Sequence, residues 1–397
     1  MDHDDHRSIG KRLELFHFQE EAPGMVFWHP RGFSLLRELE EANRRYVRRH
    51  GYIEVKSPQL LRQPIWERSG HWQHFRENMF VLGEEDGLAS ALKPVSCPGH
   101  LAIARRMSLS YRDLPLRLSE LGVCHRNEQS GALAGLFRLR QFVQDDGHIL
   151  SAPEAAVEEI ARFCASIPEF YRAFGFERVH VALASRPPDR LGGDESWDSA
   201  ERALAEGARL AGLDFEVSPG GGAFYGPKLE LALVDRAGRS WQCGTIQLDA
   251  FLPERFGVEY ADASGARRHP VMLHRALCGS LERFLGIVLE HHRGRLPAWL
   301  SPDKVVVLPL RASEEEAARV LCRELSAHGL AAAVDASDEN VGKRVAIAHA
   351  REIPYIIVIG PRELERGEVD VRGRAGREVV ARDRIVSWLL EAARPPF

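Results

Sequence analysis

From residue 32 to residue 49 the apolar positions recur with the period of one helix face, which predicts a long amphipathic helix. Segments 116–124, 136–144, 229–234 and 240–248 carry a shorter, strand-like pattern. The last two are separated by Asp235-Arg-Ala-Gly238, a sequence suited to a hairpin turn, so antiparallel pairing is expected there. Helices flanking an antiparallel sheet make an α+β domain rather than a doubly wound one. Near residues 293–302 a glycine and two prolines interrupt the helical pattern, and a different kind of sequence begins. Apolar runs at 305–308, 331–334 and 355–359 alternate with helical stretches, including one over 341–350. This alternation predicts a small α/β domain with a mostly parallel sheet, about 95 residues long and large enough for one core. The expected division is therefore 1–300 and 301–397.

Composition narrows the class. With 44% hydrophobic and 28% charged residues, the 397-residue chain has the balance of an ordinary folded protein. No apolar run approaches the roughly 18 to 20 residues that a membrane span requires, and the polar, acidic start from Met1 to His6 does not have the form of a secretory signal. Cys97, Cys124, Cys164, Cys243, Cys278 and Cys322 are scattered and form no CxxC pair, a usage that fits a reducing cytosol, so a cytoplasmic location is expected. A net charge of −4 argues against a uniformly basic, indiscriminate nucleic-acid binder but leaves room for a local basic surface. Arg372, Arg374, Arg377, Arg382 and Arg384 are one candidate. Interleaved with Glu368, Asp370, Glu378 and Asp383, they read equally as a solvated charged face.

Candidate chemistry lies in three remote stretches that each offer a zinc ligand: Cys97 in Lys93-Pro-Val-Ser-Cys97-Pro-Gly-His100, His148 in Gln144-Asp-Asp-Gly-His148, and His274 in Val271-Met-Leu-His274-Arg275. One thiolate with two imidazoles leaves the fourth tetrahedral position open to a substrate, provided the fold gathers them. Arg126 and Glu128 are expected on one face of a strand, the arginine offering a planar fork to phosphate and the carboxylate an acceptor for an amino group. A surface ion pair is the competing reading. At 273–286 a strand-like run leads through Gly279 into a helix, where Arg283 lies one turn in, within reach of a phosphate or purine. Gly279 alternatively serves only tight helix-on-sheet packing. Neither a P-loop nor a Rossmann glycine fingerprint is present.

Arg126-x-Glu128 with Arg138 resembles motif 2 of the class II aminoacyl-tRNA synthetases, Gly279-x-x-x-Arg283 resembles motif 3, and Ser57-Pro58 after the long helix resembles motif 1. The runs 19–28, Ser69-Gly-His-Trp72, 111–117, Cys124-His-Arg-Asn-Glu128, Ala223-Phe-Tyr-Gly-Pro-Lys228 and 241–249 are similar to the threonyl-tRNA synthetase family, over nearly the whole chain. The resemblance implies a class II catalytic domain over 1–300 and an anticodon-binding domain over 301–397. It places Cys97, His148 and His274 at the family's zinc ligands, where zinc holds both the amino and hydroxyl groups of threonine. Gln144, Asp146, Tyr225 and Gln247 fall at the threonine pocket, with Lys228 matching a pocket-facing lysine. Arg126, Glu128, Arg138, Gln242 and Arg283 fall at the ATP-binding and carboxylate-activating positions, Arg126, Glu128 and Arg283 being catalytic. The implied reaction joins threonine to tRNA(Thr) through threonyl-adenylate, using ATP with Mg²⁺. A homodimer through motif 1 is also implied.

Two departures from the family qualify these expectations. Met1 lies about 20 residues before the 20–24 segment, so the N-terminal and editing domains usual in bacterial members do not fit, and poor rejection of serine is expected. At the other end, Asn340-Val-Gly-Lys343 and 367–372 resemble the anticodon-binding domain, but the arginine-rich strand end is thinner, which weakens the case for strong anticodon reading. Two alternatives remain open: adenylation of threonine or a related β-hydroxy amino acid for another acceptor such as a carrier protein, and a resistance or regulatory RNA-binding paralogue.

Overall fold

In the computed structural model, which describes residues 5–234 and 238–397, eight strands build the main sheet: β1 (Ile53–Glu54), β2 (Leu116–His125), β3 (Gln141–Ser151), β4 (Val179–Ala184), β5 (Glu216–Ser218), β6 (Lys228–Val234), β7 (Ser240–Asp249) and β8 (Val271–Ala276). Their order is β5-β4-β6-β7-β8-β3-β2-β1, antiparallel throughout except at the two edges, where β1 joins β2 and β5 joins β4 in parallel. The expected α+β class is therefore observed. The predicted turn at 235–238 lies outside the described residues except for Gly238, but β6 and β7 do pair antiparallel.

Two predicted segments need correction. Residues 136–144 do not form one strand: Gly135–Phe137 is a turn of 3₁₀ helix, and β3 begins only at Gln141. Leu136, Phe137 and Leu139 are buried nevertheless. A compact turn hides apolar side chains as well as a strand does, so the apolar run alone misleads. Likewise β2 ends at His125, so Arg126 and Glu128 lie in the loop that follows and not on a strand face.

Helices α1 (Ala156–Ala173) and α2 (Asp194–Leu210) pack on each other and on the main sheet. Each presents an apolar stripe, in α1 Ile160, Phe163, Ile167 and Phe170 at three- and four-residue spacing. The chain divides into two compact units, one of residues 18–26 and 43–287, the other of the segment through His17 with 27–42 and 288–397.

The second unit carries a five-stranded sheet of β9 (Val305–Pro309), β10 (Ala332–Val334), β11 (Tyr355–Ile359), β12 (Glu368–Gly373) and β13 (Gly376–Ala381), in the order β10-β9-β11-β12-β13. The first three are parallel, as expected, and β12 and β13 add an antiparallel hairpin that the apolar pattern did not disclose. The predicted helix over 341–350 is present as Val341–Ala350, capped by the Asn340 side chain accepting from the Lys343 N–H at 2.9 Å. The C-terminal arginines favour the charged-face reading: Arg372 and Arg377 both pair with Asp370, and Arg382 with Glu324.

Candidate active site

Strand register assembles the site. Across four neighbouring strands one row reads Lys228, Gln247, His274, His148, each the direct cross-strand partner of the next. Along β3 the two-residue period puts Gln144 and Asp146 on the same face as His148. Cys97 reaches this face from another direction, as the first residue of helix α3 (Cys97–Ala104). Strict alternation along β7 would send Gln242 to the opposite face from Thr245 and Gln247. A β-bulge at Cys243 inserts one extra residue, so that Leu231 pairs with Gly244 but Ala232 with Gln242. Gln242 thereby joins the cleft face, and its Nε2 donates to Thr245 Oγ1 at 3.3 Å. Gly244 is obligatory here, because a Cβ would lie 2.6 Å from the Tyr171 hydroxyl.

All thirteen residues singled out from the sequence line one cleft of about 510 Å³: Cys97, Arg126, Glu128, Arg138, Gln144, Asp146, His148, Tyr225, Lys228, Gln242, Gln247, His274 and Arg283. At one end, ligand atoms of Cys97, His148 and His274 all lie within 4.8 Å of one another. His148 Nε2 and His274 Nδ1 are 3.1 Å apart. The far nitrogens of both rings are engaged, His148 Nδ1 with His100 Nδ1 at 2.7 Å and His274 Nε2 with Asp249 Oδ2 at 3.1 Å. Asp249 Oδ1 already accepts the Phe251 and Leu252 N–H groups, which fixes the carboxylate beside the ring. A carboxylate orienting an imidazole from behind is the usual support of a metal-binding histidine. Burial, together with His100 and His274, holds His148 well below its ordinary value, so its ring is neutral and able to donate a lone pair. Burial, with Asp146 and Asp249 nearby, raises the Cys97 thiol well above its ordinary range. A cation is what would make this thiol a thiolate. The donor set and its supports fit a zinc ion.

The other end is cationic. Arg126 Nε donates to the Pro94 carbonyl at 3.2 Å, and its guanidinium lies 5.1 Å from the Phe142 ring centre and 5.8 Å from that of Phe75. Arg283 donates to the carbonyls of Phe137 (2.9 Å) and Gln242 (3.3 Å). Its pKa is lowered by burial, and the charges of Arg126 and Arg138 add to this. Three guanidiniums crowded near one carboxylate, Glu128, make a site for a polyanion. Gly279, at φ +69°, marks the turn into the helix of Arg283 (α4, Leu281–His292), and a Cβ there would meet the Cys243 carbonyl at 2.4 Å. Gly279 packs tightly against the bulge, as the packing reading requires, and it also lines the cleft.

Between the two ends, Asp146 Oδ2 accepts the Ser96 N–H at 3.2 Å and Gln247 Nε2 donates to the Gly226 carbonyl at 3.0 Å. Tyr225 sets its ring 5.2 Å from that of His274. Lys228 lines the cleft with its Nζ 2.7 Å from Glu230. Several residues that shape the site escaped sequence reasoning. His71 and Thr245 line the cleft. Burial first, then His274, Arg126 and His74, lower His71 to about 3, which keeps it uncharged. His100 and Asp249 support the two imidazoles. His71, His100, Thr245 and Asp249 all lie inside the runs 69–72, 93–100 and 241–249 singled out from the sequence, and that was the available signal.

Comparison with known proteins bears on the family and the fold. Residues 80–292 match the family model described as the tRNA synthetase class II core domain (G, H, P, S and T), and residues 304–392 match the anticodon binding domain. The threonine--tRNA ligase of Burkholderia multivorans is 49% identical over 94% of this chain, which spans only 58% of that relative's length. Among solved structures, the RNA binding domain of threonyl-tRNA synthetase from Cryptosporidium parvum superposes with a TM-score of 0.93 at 38% identity, covering 99% of both chains. The putative threonyl-tRNA synthetase ThrRS-1 of Aeropyrum pernix gives 0.83 at 26% identity, covering 99% of this chain and 97% of that one. Matching family models, high identity over full domains and a shared fold lead to one conclusion: the chain belongs to the class II aminoacyl-tRNA synthetases, within their threonyl-tRNA synthetase family.

Proposed function

We propose that this chain activates threonine with ATP and transfers it to tRNA(Thr). The observation that carries the reading is the pairing, within one cleft, of a Cys/His/His cluster suited to zinc with a guanidinium cluster suited to a polyphosphate. Cys97, His148 and His274 would hold the zinc ion, which when bound offers a coordination position that a hydroxyl fills and a methyl group does not. Asp146, anchored by Ser96, faces the same space and receives the substrate ammonium. Gln144, Tyr225, Gln247 and Lys228 close the amino-acid pocket.

In the first step the threonine carboxylate attacks the α-phosphorus of ATP, forming the mixed anhydride and releasing pyrophosphate. Arg126, braced by the Pro94 carbonyl and two aromatic rings, holds the carboxylate against the α-phosphate and offsets the charge that develops there. Arg283 and Arg138 take the outer phosphates of ATP, which carries Mg²⁺. Glu128 and Gln242 read the nucleotide. In the second step the terminal ribose hydroxyl of tRNA displaces AMP. Little acid or base chemistry is asked of the protein, because positioning and charge stabilisation supply the rate.

Residues 1–300 would carry this chemistry and 301–397 would bind the anticodon stem, a division supported by the spans of the two family models. The family's motif 1 supports a homodimer, and six free thiols suit a reducing, cytoplasmic setting. Among the described residues no helix is long and apolar enough to cross a membrane. Threonine-dependent ATP–pyrophosphate exchange tests the first step and charging of purified tRNA tests the second. Exchange without charging would assign another acceptor, and neither would remove the catalytic reading.

A further inference from the structure

We propose that Lys93, Ser57, Glu120 and His100 form a buried relay that fixes the ring tautomer of His148, so that a bare nitrogen awaits the metal before it binds. The inference rests on the metal reading above and extends it through His100 to Glu120, Ser57 and Lys93, which that reading does not use.

The relay is continuous and buried. Ser57 donates to Glu120 twice, from its hydroxyl to Oε2 at 2.7 Å and from its N–H to Oε1 at 3.2 Å, while Lys93 Nζ reaches Oε1 at 2.9 Å. His100 Nε2 lies 3.1 Å from Oε2, and its other nitrogen, Nδ1, is 2.7 Å from His148 Nδ1. Lys93, Ser57, Glu120, His100 and His148 are each no more than 4% exposed. Two glycines make room for them. A Cβ on Gly99 would lie 2.5 Å from that of Ser57, and one on Gly122 would lie 2.6 Å from the Ser96 hydroxyl and 3.4 Å from Lys93 Nζ.

The sense of the relay follows from the donors. Burial pushes the Glu120 carboxyl upward, but the hydrogen bonds from His100, Ser57 and Lys93 outweigh it and hold the group at about 2. An ionised carboxylate only accepts, so His100 carries a proton on Nε2, and in the proposed sense its ring is neutral with Nδ1 bare. That bare nitrogen accepts the Nδ1–H of His148, and His148 Nε2 is left without a proton. It then faces His274 Nδ1 across 3.1 Å. Because Asp249 takes the Nε2–H of His274, two lone pairs confront each other, and a cation relieves the repulsion. The reverse sense would place a proton on His148 Nε2, close the contact between the rings and leave no position for a metal. Glu120 and His100 are thus positioning residues that act through His148.

Nitrogen-15 NMR of the metal-free wild-type protein tests the sense of the relay directly. Protonated Nδ1 with bare Nε2 on His148, and protonated Nε2 on His100, is expected, and the opposite pair of tautomers overturns the proposal. Zinc affinity, read by chelator competition, tests its consequence. His100→Ala is expected to bind zinc roughly 10- to 100-fold more weakly. His100→Asn, whose side-chain oxygen takes the place of the Nδ1 acceptor, is expected to recover most of the loss. Zinc that requires Cys97 and His274 but binds His100→Ala as tightly as wild type overturns the relay alone. Zinc bound equally by Cys97→Ser, His274→Ala and wild type overturns the metal reading beneath it. Should His100→Ala fail to fold, the wild-type tautomers decide.

Discussion

The two ends of the cleft are built differently. Two of the three candidate metal ligands stand on neighbouring strands in direct register, and the rings are fixed from behind by other side chains, Asp249 and His100. At the cationic end, Arg126, Glu128 and Arg138 sit on the loop between β2 and β3, and the bonds to Arg126 and Arg283 come from backbone carbonyls. Carbonyl anchors restrain a guanidinium without neutralising it, so its charge stays available to a polyanion. On the proposed function, the end that would tell one small side chain from another rests mainly on the sheet, with Cys97 added from a helix, whereas the end that would grip a polyanion draws on the β2–β3 loop together with Arg283 of α4. Selectivity and binding strength should therefore fail separately.

The sharpest break is at the metal end. Cys97→Ala or His274→Ala should lower threonine-dependent pyrophosphate exchange by more than about 10³-fold, roughly 4 kcal/mol, together with loss of zinc measured by elemental analysis. Exchange that persists without zinc would erase the distinction between the two ends. A smaller effect is expected at the cationic end, where Arg126→Ala should reduce kcat by about 10² to 10³, or 2.7 to 4 kcal/mol, with zinc content unchanged. Loss of zinc in that variant would mean that the ends are coupled.

A stability effect lies behind the metal end. Because the Glu120 carboxyl is held at about 2 when folded, its contribution is complete above the unfolded value near 4.5 and is lost as pH falls through 2. Its loss amounts to something on the order of 3 kcal/mol. Urea unfolding between pH 5 and 2 should show Glu120→Gln losing stability less steeply than wild type, by about one proton. Parallel slopes would place the acid sensitivity elsewhere.

These contrasts bear on how much was legible in the sequence. Two-residue alternation sets Gln144, Asp146 and His148 on one face of β3, although the apolar pattern ends its strand at Gln144 and the family resemblance is what places Gln144 and Asp146 in the site. The same rule failed in β7, where the bulge at Cys243 brings Gln242 beside Thr245 and Gln247. A bulge changes the phase of a strand without leaving an apolar mark. The rule also overreached at Arg126 and Glu128, because β2 stops at His125 and a loop presents both residues to the cleft. His100 and Glu120 lie 48 and 28 residues from His148 in the chain, and only the fold brings them into line. Glu120 did not stand out because β2 also carries Arg117, Ser119 and His125, and His100 showed only as the end of the 93–100 run. In the C-terminal region the β12–β13 hairpin stayed hidden because its charged residues, Asp370, Arg372 and Arg377, pair with one another and dilute the alternation.

The most direct test is ATP–pyrophosphate exchange by the zinc-loaded protein with threonine, serine and valine, repeated after zinc is removed. Threonine should be the best substrate and serine within about tenfold of it, since only one methyl group, roughly 0.8 kcal/mol, separates them. Valine should support essentially no exchange, and zinc removal should abolish the difference by abolishing the activity. Valine turning over at the rate of threonine, or an unchanged profile without zinc, would contradict selection of the substrate hydroxyl at Cys97, His148 and His274.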